Sequence, residues 1–274
     1  MQSVTLYGGV LNVYHMEICV LCSQTVHGIY YLLAAATANG SKSAVIYSTG
    51  TMSATDLVGK SASGEIAVIE GDNSIAMTNC TMTSGSSERG LLMMQSGSGD
   101  ASGVNPVMTI TGTSLTMTDS SAPLLEVATC VTATCTLDNC TVTVPSGILM
   151  YVMADSQWST SGAVGNLILS NGTYSGIVKY DTGYTANVTV NEGATWNLTA
   201  NTTISTLVNN GTINCNGYTL TCASKSGSGT INETTGIASM NAERSDAKVY
   251  TLDGRVASDC TRGIVIKNGK KIIR

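Results

Sequence analysis

Apolar and polar residues alternate along most of the chain in short segments that end at turn residues. In "NCTMT" (79–83), Cys80 and Met82 fall on one face of a strand, whereas the threonines fall on the other. Similar segments recur about every 6 to 10 residues between Asn-Gly, Ser-Gly and Glu-Gly turns. This period-two alternation predicts an all-β chain of short strands.

The segments also repeat as larger units. "AVIYSTGTMSATDL" (44–57) aligns with "AVIEGDNSIAMTNC" (67–80), which places Leu57 on Cys80. Two apolar columns continue the pattern: Val68-Ile69, Leu92-Met93, Leu124-Leu125 and Leu149-Met150 form one, and Leu57, Cys80, Leu115 and Cys140 form the other. Stacked units of this length predict a β-solenoid, because one coil alone cannot bury its inner face.

The later part of the chain repeats in shorter steps. "LILSNGTYSGI" (167–177) aligns with "VTVNEGATWNL" (188–198) at a spacing of 21 residues, and "VNNGTI" (208–213) follows the same pattern. Between the longer units, "QSGSGDASGVNP" (95–106) has the composition of an inserted loop. The alignment predicts that Cys80 and Cys140 are interior residues rather than thiol sites.

Composition and charge narrow the class of protein. The 274 residues include 29 Gly and no Phe, and only 11% are charged, which disfavours helices. Residues 1–243 carry 5 Lys/Arg against 15 Asp/Glu, whereas residues 244–274 carry 8 against 3. So acidic a body is a poor match for nucleic acid, and no apolar run approaches the roughly 20 residues of a membrane span. We therefore expect no nucleic-acid partner and no membrane span.

Several coils resemble a known family. "EIAVIEGDNSIAMTNCTMTS" (65–84) and "TLDNCTVTVPSGILM" (136–150) resemble coils of right-handed parallel β-helix, adhesin-like bacterial surface proteins of the pectin-lyase-like superfamily. "GATWNLTANTTISTLVNNGTINCNGYTL" (193–220) is similar to the closing coils of autotransporter-type passenger domains. The resemblance implies a single right-handed parallel β-helix over residues 1–240, entered midway through a coil and irregular at its N-terminal end.

The C-terminal segment carries a second resemblance. "VYTLDGRVASDCTRGIVIKNGKKIIR" (249–274) resembles the C-terminal sorting segment of type IX-secreted proteins, with a β-hairpin at Asn268-Gly269. This resemblance implies that residues 241–274 contact the secretion machinery. The alternative is a small capping hairpin, and Cys260 departs from the usual pattern of relatives.

Polysaccharide lyases and glycoside hydrolases share the superfamily, so a carbohydrate-active enzyme is the alternative function. A hydrolase needs two carboxylates about 5 to 9.5 Å apart, and a lyase needs acids beside a Lys or Arg base. Glu70 and Asp72 in "EGDN" are the best local candidates for catalysis, with Asp56 one coil away. The same residues also suit a plain turn between strands. Convergence of two or more carboxylates and a cation on one sheet face would favour the enzyme.

Two further patterns suggest sites but have simpler readings. One pattern resembles a set of four zinc ligands: His15, Cys19, Cys22 and His27. The segment "ICVLC" is nevertheless predicted to be a strand, in which residues three positions apart point to opposite faces. Thr81/Thr83, Thr116/Thr118 and Thr141/Thr143 form outward rows that suit a solvated strand. We therefore expect no metal and no cofactor. The expected function is that of a non-catalytic, adhesin-like or structural protein, secreted or at the outer cell surface, with a glycan or a host-surface protein as partner.

Overall fold

The computed structural model describes residues 3–7, 35–38, 44–96, 99, 101–154, 162–233, 249–251, 264–267 and 270–273. Within these ranges every regular element is a β-strand. The strands are, in chain order, β1 (Ser3–Tyr7), β2 (Ala35–Ala38), β3 (Ile46–Ser48), β4 (Thr51–Thr55), β5 (Val58–Ser61), β6 (Ala67–Glu70), β7 (Ser74–Thr78), β8 (Thr81–Ser84), β9 (Leu91–Met94), β10 (Val107–Thr111), β11 (Ser114–Met117), β12 (Leu125–Val127), β13 (Thr132–Asp138), β14 (Thr141–Thr143), β15 (Ile148–Val152), β16 (Val164–Ser170), β17 (Thr173–Ser175), β18 (Ile177–Tyr180), β19 (Thr185–Val190), β20 (Thr195–Asn197), β21 (Thr202–Asn209), β22 (Thr212–Asn214), β23 (Leu220–Ser226), β24 (Thr230–Asn232), β25 (Val249–Thr251), β26 (Ile264–Lys267) and β27 (Lys270–Ile273).

The chain passes repeatedly through the same sheets. Sheet A contains β1, β4, β7, β10, β13, β16, β19, β21 and β23; sheet B contains β2, β5, β8, β11 and β14; sheet C contains β3, β6, β9, β12, β15 and β18. Sheet D, made of β17, β20, β22 and β24, follows sheet A in the later coils. Neighbouring strands in all four sheets are parallel. The predicted all-β parallel β-helix is therefore confirmed.

Sheet A stays in register although its coils differ in length. Its outward column is Thr51, Ser74, Val107, Thr134, Asn166, Asn187, Thr206 and Ser224. The step from Ser74 to Val107 is the longest in this column, and the step from Thr206 to Ser224 is the shortest. Along the chain, long connections from a strand of sheet C to the next strand of sheet A are residues 95–106, between β9 and β10, and residues 153–163, between β15 and β16. Insertions therefore leave the sheet continuous.

The interior is a stack of apolar columns. One column of sheet A is Met52, Ile75, Met108, Cys135, Leu167, Val188 and Leu207, each at most 3% exposed. These residues belong to one hydrophobic core together with inward residues of sheets B, C and D. The alternation read from the sequence thus becomes an inner apolar face and an outer polar face.

A left-handed residue turns the chain from sheet A to the next sheet in each early coil. Asp56, Asn79, Asn139 and Asn171 have φ of 54°, 54°, 51° and 42°, and Gly112 has φ of 59°. Asn, Asp and Gly tolerate this conformation better than other residues. In the earlier of these corners, the residue that follows the left-handed residue is buried, as shown by Leu57 after Asp56 and Cys80 after Asn79. This corner explains why "NC" recurs at 79–80 and 139–140.

In the column of Cys80 and Cys140, strand β11 is shifted by two residues from the register that the sequence alignment predicts. Cys80 is 2% exposed and Cys140 is 6% exposed, so both are interior as predicted. Thr113, however, occupies the place between them, since β11 pairs Ser114 with Thr81 and Thr141. The expected neighbour Leu115 lies on Met82 instead. The alignment was wrong because a shift of two residues preserves the inward face.

Thr113 fits inside because its polar groups are satisfied. Its hydroxyl accepts the Cys80 backbone N–H at 3.1 Å and donates to the Thr111 carbonyl at 3.0 Å. The same two-residue error affects sheet C, where Ile46 pairs with Ala67 and Leu92 pairs with Glu126.

The outward threonine rows need the same correction. Thr116 lies level with Thr83 and Thr143. The sequence alignment predicts that Thr116 lies level with Thr81 and Thr141, and this prediction is wrong by two residues.

Contacts divide the chain into two compact units, residues 1–234 and 235–274. The second unit contains β25, β26 and β27 in an antiparallel sheet. Lys267 pairs with Lys270, which confirms the predicted C-terminal hairpin. The predicted boundary at residue 240, Cys260 and the zinc-like list His15, Cys19, Cys22 and His27 lie outside the described residues.

Candidate functional site on the outer face of sheet C

Sheet C differs from the other sheets because its outer face is apolar. Val68, Leu92, Met94 and Ala128 are at most 4% exposed and form a second hydrophobic cluster, against which Tyr47 packs. The alternate residues of the same strands belong to the main core. Because these residues are almost fully buried, the chain itself covers this part of the outer face, and the polar groups at its border form the candidate site.

An ion-pair cluster lies at the corner between sheets B and C. The Arg89 Nε atom lies 3.1 Å from Glu65 Oε1, and its Nη1 atom lies 2.9 Å from Glu126 Oε1. The more exposed Glu88 lies 3.5 Å from Nη2. Glu65 precedes β6, Arg89 precedes β9 and Glu126 belongs to β12. One guanidinium therefore joins three successive coils.

The segment "SGSSERG" (84–90) holds this arginine in place. The Ser86 hydroxyl accepts the backbone N–H groups of Glu88 at 3.2 Å and Arg89 at 3.3 Å. The Arg89 side chain is 13% exposed, and Glu126 is 4% exposed. Charge-assisted bonds between such buried groups are strong and geometrically specific.

The opposite end of the β6 strand carries Glu70, one of the predicted catalytic candidates. Glu70 is 2% exposed, and its Oε1 atom accepts a hydrogen bond from the Tyr47 hydroxyl. Its Oε2 atom has no hydrogen-bond partner within the described part of the chain. Tyr47 also packs on the apolar cluster, so the pair lies at the edge of the candidate face.

Asp72, the second candidate, anchors the inserted loop 95–106. Its carboxylate accepts the backbone N–H of Asn105 at 2.5 Å and the Asn105 side-chain amide at 3.1 Å. The backbone bond to Asn105 lowers the pKa of Asp72 below its ordinary value. At the other end of the loop, the Gln95 N–H donates to the Thr129 hydroxyl at 2.8 Å. The loop is thus fixed at both ends.

The later strands of sheet C carry another hydrogen-bonded pair. Tyr151 lies level with Glu126 and Lys179 on the outer face. Its hydroxyl donates to Asp181 Oδ1 at 2.8 Å, and this bond raises the pKa of Tyr151. Carboxylates and tyrosines therefore border the apolar face along several coils.

The three predicted catalytic residues are not all brought together. Asp56 is an exposed corner residue that follows β4 and lies level with Asn79, just after the end of β7. Glu70 and Asp72 lie before the start of β7. The five residues of β7 span about 16 Å, which exceeds the separation that paired carboxylates need. Glu70 bonds to Tyr47 and Asp72 to Asn105, so neither one's described partner is a basic residue.

Sequence reasoning missed the cluster around Arg89, although a signal for part of it exists. Glu65 and Arg89 are separated along the chain by the same interval as Val68 and Leu92, which pair in neighbouring coils. The sequence alignment places Leu124 level with Leu92, whereas Glu126 occupies this position in the structure. As a result, the alignment does not predict that Glu126 lies near Arg89. A charged pair at the coil spacing therefore indicates an ion pair between coils.

The described cysteines of the core have the character of buried apolar residues. Burial raises the pKa of Cys135 to about 12 and also raises the pKa values of Cys80 and Cys140. The Cys140 Sγ atom lies 3.2 Å from the Ile110 carbonyl oxygen. A thiol held protonated in this way is a poor nucleophile and metal ligand.

Two other kinds of feature are missing from the part of the chain that the structure describes. Among them, no three His, Cys, Asp or Glu side chains gather where they could hold a metal ion. The same part of the chain contains no helix with the length and hydropathy that a membrane span requires.

Comparison with known proteins adds no relative to this picture. No family model matches the chain, and no curated protein or solved structure matches it.

Proposed function

We propose that this protein is a non-catalytic, adhesin-like or structural β-helix that is secreted or displayed at the outer cell surface. The observation that carries the proposal is the pairing of charged groups across coils around Arg89. This residue bonds Glu65 and Glu126 from the coils on either side. These ion pairs join three successive coils in addition to the backbone pairing of their strands.

Catalysis of sugar cleavage needs groups that are free to exchange protons with a substrate. On the outer face of sheet C, Glu126 bonds to Arg89, Asp181 to Tyr151 and Glu70 to Tyr47. These contacts join residues that are 23 to 37 positions apart in the chain. They favour a rigid scaffold over a proton-transfer site.

The partner would contact the loop 95–106 and the exposed residues beside the outer face of sheet C. Insertions on a solenoid commonly form its binding face, and the two ends of this loop are held by hydrogen bonds to Asp72 and Thr129. Anchored ends reduce the conformational entropy that a loop loses on binding. A glycan or a host-surface protein is the class of partner that the adhesin-like resemblance implies.

The proposal also includes export. The pectin-lyase-like resemblance of the coils and the type IX resemblance of residues 249–274 support a location outside the cell. Removing residues 249–274 should retain the protein inside a type IX-secreting host, whereas the full chain should reach the medium or the cell surface. Equal export of both forms would contradict a sorting role and favour a capping hairpin.

A carbohydrate-active enzyme is the second candidate, and one observation favours it. Glu65 and Glu126 converge with a cation at the corner between sheets B and C, which resembles the arrangement expected of an enzyme.

One experiment separates the two candidates. The intact protein is applied to a glycan array, and each bound glycan is then incubated with it and assayed for unsaturated or newly reducing sugar ends. We expect binding without new ends, and loss of binding on deletion of residues 96–104, which leaves both anchors Gln95 and Asn105 in place. Release of sugar ends that stops in Glu126→Gln would establish the enzyme instead.

A further inference from the structure

The inward columns of the solenoid change character at its C-terminal end. The column that runs from Met52 to Leu207 is apolar in seven successive coils. In β23 the next position is Lys225, which pairs with Leu207 and is exposed. A lysine therefore stands at a place where every earlier described coil has an apolar side chain or a cysteine.

The adjacent column becomes polar one coil earlier. Asn209 pairs with Val190, an interior residue, and is itself only 2% exposed. Its side-chain amide donates to the Thr230 carbonyl at 3.1 Å. Two neighbouring inward columns of sheet A thus become polar over the last two coils, as is typical of the capping coils of solenoids.

The rest of this end would otherwise favour association. Leu220, Cys222 and Ile231 occupy inward positions and are only partly buried. In the described sheets, β23 and β24 are the last strands of sheets A and D. A strand edge beside partly exposed apolar residues is a template for another chain.

We propose that Lys225 prevents a second copy of this chain from stacking on the end formed by β23 and β24. In the single protein, the methylene groups of a lysine can cover apolar neighbours while the ammonium group reaches water. A copy stacked on β23 would enclose this ammonium within an apolar column. An enclosed and unpaired charge opposes association.

This inference stands apart from the proposed function, because it concerns the solenoid end and not sheet C. The test uses the full chain and three variants: Lys225→Leu, Lys225→Glu and Lys179→Leu. Lys179 is an exposed lysine of β18 on the outer face of sheet C. It therefore controls for the same substitution and the same change of charge at another surface position.

Weight-average mass is measured by sedimentation at equal protein concentrations, with circular dichroism to verify the fold. We expect Lys225→Leu to at least double its mass relative to the unchanged chain, while Lys225→Glu and Lys179→Leu retain the mass of the unchanged chain. Two results would overturn the inference: Lys225→Leu sediments like the unchanged chain, or Lys225→Glu associates as strongly as Lys225→Leu.

Discussion

The early coils, residues 44–154, and the late coils, residues 162–233, stabilise the same kind of stack with different polar groups. In the early coils, carboxylates and Arg89 join successive coils, and the corners carry insertions. In the late coils, asparagine side chains do so in rows without insertions: Asn214 donates to Asn197 at 2.7 Å and Asn232 donates to Asn214 at 2.8 Å.

The difference follows from coil length. Where successive coils have equal corners, identical residues lie directly above one another, and an amide can both donate and accept along the row. The late strands of sheet D, which carry this row, meet this condition, because the steps from strand to strand are short and nearly equal. The early steps are longer and unequal, so the early coils rely on long side chains that reach across unequal corners. The late coils therefore form the more regular scaffold, and the early coils carry the variable surface.

The largest effect is expected from removing the main aromatic residue of the late coils. Trp196 is fully buried, lies between Tyr174 and Ile213 in its column, and donates its indole N–H to the Gly176 carbonyl at 3.0 Å. Trp196→Ala should lower the free energy of unfolding by about 3–5 kcal/mol. Urea denaturation followed by circular dichroism measures this change.

Tyr218→Ala serves as the control for that substitution, because Tyr218 is 42% exposed. Its effect should stay within about 0.5 kcal/mol. Equal effects of the two substitutions would show that Trp196 is not in the core.

The next largest effect concerns the early coils. Arg89→Met keeps much of the side-chain length but leaves Glu126 and Glu65 without their cation. The substitution should lower the free energy of unfolding by about 3 kcal/mol, because the buried carboxylate of Glu126 loses its cation. The same denaturation assay measures it, and adding Glu126→Gln should recover part of the loss. A cost below about 1 kcal/mol would mean that the cluster is a surface feature.

A smaller effect is expected in the asparagine row. Asn214→Ala removes one hydrogen bond to Asn197 and one from Asn232. At a net value of about 0.5–1.5 kcal/mol for each bond, the loss should be roughly 1–3 kcal/mol. Thr212→Ala in the same strand is the matched control and should cost less. If the control costs as much, the row does not stabilise the late coils.

The smallest effect is a pH dependence confined to the loop 95–106. The bond from the Asn105 N–H holds the pKa of Asp72 below its ordinary value, so it stabilises the folded loop above the unfolded pKa of about 3.9. This contribution is lost as the pH falls through the lower, folded-state pKa. Hydrogen-exchange protection of the Asn105 amide should therefore decrease in acid.

Asp72→Asn supplies the control for that measurement. The variant should show weaker protection of Asn105 at neutral pH and no further decrease that is specific to acid. Protection that is unchanged in the variant would exclude Asp72 as the anchor of the loop.

The fold was predictable from the sequence because its rule is local. Alternation in "NCTMT" fixes which residues face inward, and Asn79 marks the corner before it. The vertical register was harder to predict, since moving Leu115 to the place of Thr113 changes no residue's face. Thr113 can occupy the interior because its hydroxyl is hydrogen-bonded to Cys80 and Thr111. The bond to Cys80 joins two coils and cannot be predicted from a linear sequence.

The candidate site could be predicted only in part, for a related reason. Glu70 and Asp72 stand out locally as paired acids. Glu126 bonds to Arg89, which lies far back in the preceding coil, and this contact depends on the register of two unequal coils. A side chain that acts across unequal corners leaves little trace in a linear sequence.

Sheet A is continuous despite the insertions, so each coil adds one strand spacing to the distance along its outward column. Thr51 and Thr206 are six strand pairings apart in that column. At about 4.8 Å for each pairing, their backbones should lie about 29 Å apart. Nitroxide labels on ketone-bearing unnatural residues at these positions, measured by pulsed dipolar spectroscopy, should give one narrow distribution near this distance. A broad distribution, or one centred far beyond the reach of the two label side chains from this distance, would contradict a single continuous stack.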